Sequence, residues 1–150
     1  MDLKRGLRGW WIALLAAGID RVAKRLAEGL SGPVTLIPGV LRLRRVENRG
    51  MAFSMLSGRG ALISLATAAL IAALVVWLLR DENQGKLART GLWMIVGGGL
   101  GNLWDRLTAG AVTDFIELLF VRFAVFNPAD VFICLGAALT VAGYWRGMRD

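Results

Sequence analysis

Apolar residues fall in long runs along this chain, and short polar stretches separate the runs. The run at residues 60–79, GALISLATAALIAALVVWLL, carries no charged side chain. A helix that is apolar on every side is either deeply buried or in contact with lipid. Because about 20 apolar residues are enough to cross the hydrocarbon core of a bilayer, residues 60–79 are predicted to form a transmembrane helix.

Three further segments, 8–28, 88–107 and 128–146, are predicted to form helices that cross the same membrane. The last two contain uncharged runs that reach spanning length if their polar ends lie in the interface. The first spans only if its helix continues through Asp20 and Lys24. Its basic start and apolar middle are also typical of a signal peptide, but charged residues stand where a cleavage site needs small ones. We therefore expect this helix to be retained.

The segments that connect the helices predict a small sheet and a loop. Within residues 29–59, residues 40–44 alternate apolar and basic side chains, and turn signals bracket residues 34–37, so two short strands are predicted there. Residues 108–127 are interpreted as a loop whose phenylalanines lie at the membrane interface. The predicted fold is one α-helical integral membrane domain over residues 1–150, with four transmembrane helices and a small sheet on the outer surface.

The composition favours the same class of protein. Hydrophobic residues make up 56% of the chain and its mean hydropathy is +0.56, which is too apolar for an ordinary soluble domain. The net charge is +7, and the basic residues cluster beside the apolar runs. Anionic lipid headgroups are therefore the expected partner, and nucleic acid is not. Lysine and arginine occur in loops on both sides, so counting them does not settle the orientation.

The sequence contains no histidine. This excludes Ser-His-Asp and Cys-His catalysis and histidine-based zinc sites. What remains is a pair of carboxylates, a Ser–Lys dyad or no enzyme. The glycines at 97–99 and 101 are predicted to allow close helix packing, because a phosphate-binding loop would need a preceding strand and the rest of a nucleotide motif.

Two aspartates, Asp114 and Asp130, stand at the edges of apolar segments, where a carboxylate is costly and indicates a functional site. Asn127-Pro128-Ala129-Asp130 also has the form of a helix start, with Asn127 as the N-cap. A helix N-terminus would keep Asp130 ionised as a general base. Burial and a nearby negative charge would raise the pKa of Asp114 and keep it protonated as a general acid. Without this pairing, Asp130 is a helix-capping residue and Asp114 is a loop acid.

Other polar residues near the apolar segments allow a structural and a functional interpretation. Asp105 and Arg106 end the third helix and form either an ion pair or a site that orients substrate. Asp20 and Lys24 are four residues apart and share a helix face, so they form either a salt bridge or part of the site lining. Asn48 lies in a loop, where turn capping is the alternative to a role in the site.

These residues fall in five short motifs whose order resembles the lipoprotein signal peptidase family, signal peptidase II. The family motifs are Asp-x-x-x-Lys, Asn-x-Gly-x-Ala-Phe-Ser, Gly-Asn-x-x-Asp-Arg, Val-x-Asp-Phe and Phe-Asn-x-Ala-Asp. The chain carries them at residues 20–24, 48–54, 101–106, 112–115 and 126–130. Each motif is weak alone, but five in order along nearly the whole chain are specific. Departures at Arg21, Met51 and Pro128 do not touch the two aspartates.

The resemblance implies that Asp114 and Asp130 are a catalytic pair. The residues that it implies in substrate binding or in lining the site are Asn48, Asn102, Asp105, Arg106, Asp20 and Lys24. The implied protein is a four-helix aspartic peptidase of the bacterial inner membrane with an outer β-cradle, both termini in the cytoplasm and the active site near the extracytoplasmic face. It would remove the signal peptide of prolipoproteins just before the lipid-modified cysteine, without a cofactor or metal. We expect it to act as a monomer among membrane lipids.

Two other functions remain compatible with the residues themselves. A Ser–Lys peptidase would use Ser54 and Lys24 and needs no histidine. A small channel or transporter would use buried aspartate and arginine as an ion relay. Complete loss of activity on Ser54→Ala is expected only for the first, and conductance without proteolysis only for the second.

Overall fold

The computed structural model describes residues 7–50, 60–81 and 84–148 of the chain. In chain order the elements are α1 (Trp10–Glu28), β1 (Val34–Ile37), β2 (Leu41–Asn48), α2 (Gly60–Arg80), α3 (Lys86–Ala109), β3 (Val112–Leu118) and α4 (Pro128–Gly147). Each helix begins and ends within two residues of its predicted bounds. The two short strands predicted in the first connection are also present.

Helix α3 packs against the other three helices, and its glycines set the closeness of that packing. A methyl group on Gly98 would overlap the carbonyl oxygen of Ala129 in α4, and one on Gly97 would lie 2.5 Å from the carbonyl oxygen of Ala13 in α1. Backbones can approach this closely only where side chains are absent. The predicted close packing at these glycines is confirmed, and it brings the start of α4 against the middle of α3.

The described helices expose many apolar side chains and bury several charged ones. Leu65 of α2 and Val141 of α4 are 68% and 65% exposed, whereas Lys24 of α1 is completely buried. Within the described parts of the chain, α2 and α4 are long and apolar enough to cross a membrane. Helices α1 and α3 carry more charged residues, but the charged side chains through which they contact each other lie between the two helices.

The three strands form one antiparallel sheet in the order β1-β2-β3. A bulge interrupts β2 between Leu43 and Val46. Glu117 of β3 accepts hydrogen bonds from Arg42 at 2.7 Å and from Arg44 at 3.1 Å on either side of the start of this bulge. Chiefly because of the Arg42 bond, the pKa of Glu117 falls to about 2. The sheet extends from the ends of α1 and α3.

The interpretation of residues 108–127 as a loop was wrong over its first half, because Val112–Leu118 is strand β3. The strand lacks simple alternation, since the buried Asp114 takes a position where an apolar residue would be expected. The backbone N–H groups of Phe115 and Ile116 both donate to the carbonyl oxygen of Phe126. This shared acceptor shifts the alternation of inward and outward side chains along β3 by one residue. Phe115 is 7% exposed and therefore packs inside the protein instead of at its surface.

Candidate active site

The first turn of α4 positions Asp130. Asn127 is the N-cap, and its Oδ1 accepts a hydrogen bond from the Asp130 N–H at 3.0 Å, while Asp130 Oδ2 accepts one from the Asn127 N–H at 3.1 Å. This reciprocal capping box confirms the helix start that the sequence predicts. Asp130 Oδ1 accepts a third bond, from Asn102 Nδ2 at 2.8 Å. The carboxyl group therefore faces N–H donors and the positive end of the helix dipole, an environment that favours negative charge.

Strand β3 places Asp114 beside the start of α4. Its side chain is almost completely buried, and Oδ1 accepts a hydrogen bond from Asn127 Nδ2 at 2.6 Å while Oδ2 accepts one from Asn48 Nδ2 at 3.0 Å. Burial raises the pKa of Asp114 to about 6, the Asn48 hydrogen bond opposes this rise, and the charge of Asp130 adds to it. Asp114 thus holds its proton to a higher pH than an exposed aspartate does.

Asn127 joins the two carboxyl groups, and sequence reasoning gave it only the role of a helix cap. The side chain is completely buried. Its oxygen caps α4, and its amide group donates to Asp114 and, at 3.1 Å, to Asn102 Oδ1. A capping asparagine uses only its oxygen, so a buried one still needs an acceptor for its NH₂ group. That unused donor is the signal in the sequence that points to a second role.

Asn102 of α3 connects this pair to a buried cluster of charges. Asn102 Oδ1 accepts a hydrogen bond from Lys24 Nζ at 2.9 Å. The same Nζ lies 2.8 Å from Asp20 Oδ2 and 2.8 Å from Asp105 Oδ2. The salt bridge between Asp20 and Lys24 is therefore present, as one of the two interpretations predicted. Because buried charges are tolerated only when paired, these residues form one interdependent unit.

The buried cluster also holds α4 in place. Asp20 Oδ1 accepts a hydrogen bond from the Ala129 N–H at 2.9 Å, in the first turn of α4. Asp105 accepts one from Arg21 at 3.3 Å and one from the Thr113 N–H of β3 at 3.3 Å. Asp20 of α1 thereby holds the start of α4, and Asp105 of α3 holds the start of β3. Of the two interpretations of Asp105, the ion pair with Arg106 is not formed, since Asp105 pairs with Lys24 and Arg21.

Arg106 instead extends from α3 toward the end of β2. Its Nη2 donates to the carbonyl oxygen of Gly50 at 3.0 Å. The Gly50 N–H donates to Asn48 Oδ1 at 3.0 Å, which is the turn cap considered for Asn48. Asn48 therefore caps the turn with its oxygen and bonds Asp114 with its amide. Ser54 and Met51 lie outside the described residues.

A cavity of about 250 Å³ brings the predicted polar residues together. Its polar lining consists of Asn48, Asn102, Arg106, Asp114 and Asp130, and its apolar lining consists of Val112, Phe123, Ala124, Val125, Phe126, Ile133 and Cys134. Asp20, Lys24 and Asp105 are buried away from this cavity. Since one water molecule occupies about 30 Å³ in the liquid, the space fits a water molecule and a short piece of peptide between two carboxyl groups in unlike environments.

Comparison with known proteins gives the family context of this site. The family model described as signal peptidase (SPase) II matches residues 12–146. A lipoprotein signal peptidase of Gloeobacter violaceus is 36% identical over 142 residues, which cover 91% of this chain and 81% of that protein. One of Streptococcus thermophilus is 32% identical over 139 residues, covering 90% of this chain and 91% of that protein.

Two solved structures, each described as a bacterial membrane enzyme, share this fold. One, determined by the in meso method at 2.3 Å resolution, superposes with a TM-score of 0.84 at 26% identity and covers 92% of this chain and 87% of that chain. The other, at 1.9 Å resolution, has a TM-score of 0.79 at 28% identity and covers 88% of each chain.

Proposed function

The chain belongs to the signal peptidase II family of membrane proteases, which remove signal peptides from prolipoproteins, and we propose that Asp114 and Asp130 perform the hydrolysis. The observation that carries this proposal is the shared cavity, which both carboxyl groups line. Asn127 donates to both of them, from its side-chain amide to Asp114 and from its backbone N–H to Asp130. Two neighbouring carboxyl groups, one ionised and one protonated, are the arrangement that aspartic proteases use to activate water.

In the proposed reaction, Asp130 acts as general base and Asp114 as general acid. Asp130 takes a proton from water as the water oxygen attacks the carbonyl carbon of the scissile peptide bond. Asp114 gives its proton to the carbonyl oxygen, which becomes a hydroxyl group in the tetrahedral intermediate. The carbon–nitrogen bond then breaks as the amine takes the proton held by Asp130, and the hydroxyl proton returns to Asp114. General acid–base catalysis of this kind contributes about 10²–10⁴-fold.

The neighbouring polar residues have separate roles in this proposal. Arg106 and Asn48 line the cavity and contact the substrate backbone. Asn102 and Asn127 hold the two carboxyl groups in position relative to each other. The site is supported from outside the cavity by Asp20, Lys24 and Asp105, because they fix the first turn of α4 and the start of β3. Catalytic groups held by packed, hydrogen-bonded partners keep their geometry during the reaction.

We propose that all four helices cross the inner membrane. An even number of crossings puts both termini on one side, which the family resemblance makes cytoplasmic. Strand β3 connects α3 to α4, and β1 and β2 follow α1, so the sheet and the cavity lie at the opposite, extracytoplasmic end. The substrate is a prolipoprotein cut just before its lipid-modified cysteine, and the enzyme works as a monomer surrounded by lipid.

The geometry of Lys24 weighs against the Ser–Lys alternative. A Ser–Lys dyad needs a lysine that can accept the serine proton. Lys24 is completely buried, and its ammonium group contacts two carboxylates and Asn102. The lysine is therefore held by these three partners in the buried cluster, and it does not line the cavity. For the transporter alternative, no observation on the described residues favours it over the peptidase.

The test of the proposed function is cleavage of a purified lipid-modified precursor, followed by gel shift. We expect Asp114→Asn and Asp130→Asn each to lower kcat/KM by at least about 10²-fold, with the fold retained by circular dichroism. Glu47→Gln is the matched control, since Glu47 is an exposed carboxylate on β2 outside the cavity. An Asp130→Asn enzyme as active as the control would contradict the carboxyl pair, and loss of activity only in Ser54→Ala would support the serine mechanism.

A further inference from the structure

One part of the cavity lining is a segment whose peptide groups make no hydrogen bond within the described parts of the chain. After β3 the chain returns along the cavity, and Phe126 pairs with Ile116 through bonds of 3.0 and 2.9 Å. Before that bridge the chain separates from β3, and Ala124 and Val125 line the cavity. Within the described parts of the chain, no hydrogen bond joins the peptide groups of these two residues to protein.

Such peptide groups need partners. Ala124 and Val125 are half-buried and lie beside Phe123 and Phe126, so their surroundings are apolar. Partly buried N–H and C=O groups in native proteins are almost always paired with protein or water. Water can satisfy such groups, and a bound peptide backbone can replace that water.

The proposed reaction imposes a matching requirement on the substrate. A peptide bond inside a helix has its carbonyl oxygen hydrogen-bonded and its carbon shielded by the neighbouring turns. Water held between Asp114 and Asp130 can reach the carbonyl carbon only if the peptide around the cut is extended. An extended peptide exposes unpaired N–H and C=O groups of its own, and these are costly to place against an apolar wall.

We propose that Ala124 and Val125 form a docking strand, on which the extended backbone of the precursor around the scissile bond pairs by strand addition. This rests on the proposed function and specifies how that site holds its substrate. Backbone pairing supplies binding that is independent of side-chain identity. It also fixes the distance of the scissile carbonyl from the carboxyl groups, because Phe126 continues directly into Asn127, which donates hydrogen bonds to both of them.

Strand pairing makes a position-specific prediction for the substrate. Successive residues of a strand direct their N–H and C=O groups to opposite sides, so only one of the two residues of the docking strand can face the substrate, and its carbonyl oxygen can accept from one substrate N–H. We expect a scan of lipid-modified peptides, each N-methylated at one position outside the scissile bond, to show a loss of kcat/KM at one position and tolerance at its neighbours. Loss of one backbone hydrogen bond corresponds to roughly tenfold.

A variant pair tests the enzyme side of the same contact. Val125→Pro removes a backbone N–H and Val125→Ala retains it, so we expect the proline variant to raise KM more than the alanine variant does. Binding is read independently of cleavage through Cys134, the single cysteine of the sequence, which lines the cavity. In an Asp130→Asn background, the lipid-modified peptide without an N-methyl group should slow the reaction of Cys134 with a maleimide. A peptide N-methylated at the sensitive position should leave that reaction rate unchanged.

The outcomes separate this inference from the proposed function. If wild-type enzyme cleaves the unmodified peptide but tolerates N-methyl groups at every position, the docking strand is wrong and the carboxyl pair stands. Losses of kcat/KM at every methylated position also overturn the docking strand, because they indicate steric exclusion by the cavity. Failure to cleave the lipid-modified peptide that carries no N-methyl group would instead contradict the proposed function.

Discussion

At the residue scale, the two aspartates show how one kind of side chain acquires two roles. Asp114 is buried on a strand and accepts hydrogen bonds from two neutral amides. Asp130 lies at a helix N-terminus and accepts from a backbone N–H and from Asn102. The first setting disfavours a charge through desolvation, and the second favours one through the helix dipole. The proposed division between acid and base therefore rests on where the chain places each residue.

The raised pKa of Asp114 predicts a particular dependence of stability on pH. Its pKa is about 6 in the folded state and 3.8 as the reference value for an aspartate. A raised folded pKa contributes stability that is complete below pH 3.8 and is lost as pH rises through about 6. Between pH 5 and 8 we expect the wild-type protein to lose roughly 1 kcal/mol through this group. Thermal unfolding in detergent should show no such loss in Asp114→Asn.

Two features make that measurement specific. Glu117 has its pKa lowered to about 2, so its contribution is lost only as pH falls toward that value and is constant between pH 5 and 8. Glu47→Gln removes an exposed carboxylate of the same sheet and should keep the wild-type pH dependence. An Asp114→Asn protein whose melting temperature falls with pH as steeply as that of the wild type would refute burial as the cause.

Sequence reasoning located these residues better than it explained them. Asp114 and Asp130 were identifiable because a carboxylate at the edge of an apolar run is costly. The bridging role of Asn127 was missed because a cap is a local feature, whereas its acceptors on β3 and α3 are distant in sequence. The partner of Asp105 could not be predicted either, since Arg106 is its neighbour in sequence but Lys24 is its neighbour in space.

At the element scale, the position of α4 against α3 depends on glycine. Gly98 contacts the Ala129 carbonyl and has the Ile133 side chain 2.9 Å from where its Cβ would lie. We expect Gly98→Ala to push the first turn of α4 away, to destabilise the protein by about 1–3 kcal/mol through overpacking, and to lower kcat because Asp130 moves with that turn. Thermal unfolding and cleavage rate together test this.

A matched glycine on another helix provides the control. Gly18 of α1 has no atom within 4 Å of a Cβ position, so Gly18→Ala should be neutral or slightly stabilising, as alanine favours helix more than glycine does. Equal effects at the two positions would show that helix propensity, and not contact between α3 and α4, controls the site.

The helices were predictable from the sequence and the third strand was not, for a physical reason. A helix in lipid needs a long apolar run, and such runs are visible without any partner. Strand β3 is defined by its pairing with β2, from Leu41 opposite Leu118 to Asn48 opposite Val112. Its own pattern is broken by the buried Asp114, so the residue that we propose as general acid also concealed the element that carries it.

At the scale of the whole molecule, the distribution of polarity is inverted relative to a soluble protein. Lys24, Asp20 and Asp105 are paired in the interior, while large apolar side chains such as Leu26 and Leu107 are about three-quarters and 70% exposed. In water this surface would be an aggregation hazard, and in a bilayer it is the expected contact with lipid. The inverted pattern explains how α1 and α3 can cross a membrane despite their charges.

This arrangement predicts which ends of the molecule face which compartment. The turn before Lys86 joins α2 to α3, and β1 follows α1, so the two lie at opposite ends of the helices. With Cys134 replaced by serine, we expect a membrane-impermeant maleimide to label Thr35→Cys in intact spheroplasts, and Lys86→Cys only after the membrane is permeabilised. Both positions are exposed, so burial does not limit either reaction. The reverse labelling pattern would place the cavity on the cytoplasmic side, where a secreted precursor would have no access to it after translocation. Labelling of both positions in intact spheroplasts would mean that α2 does not cross the membrane.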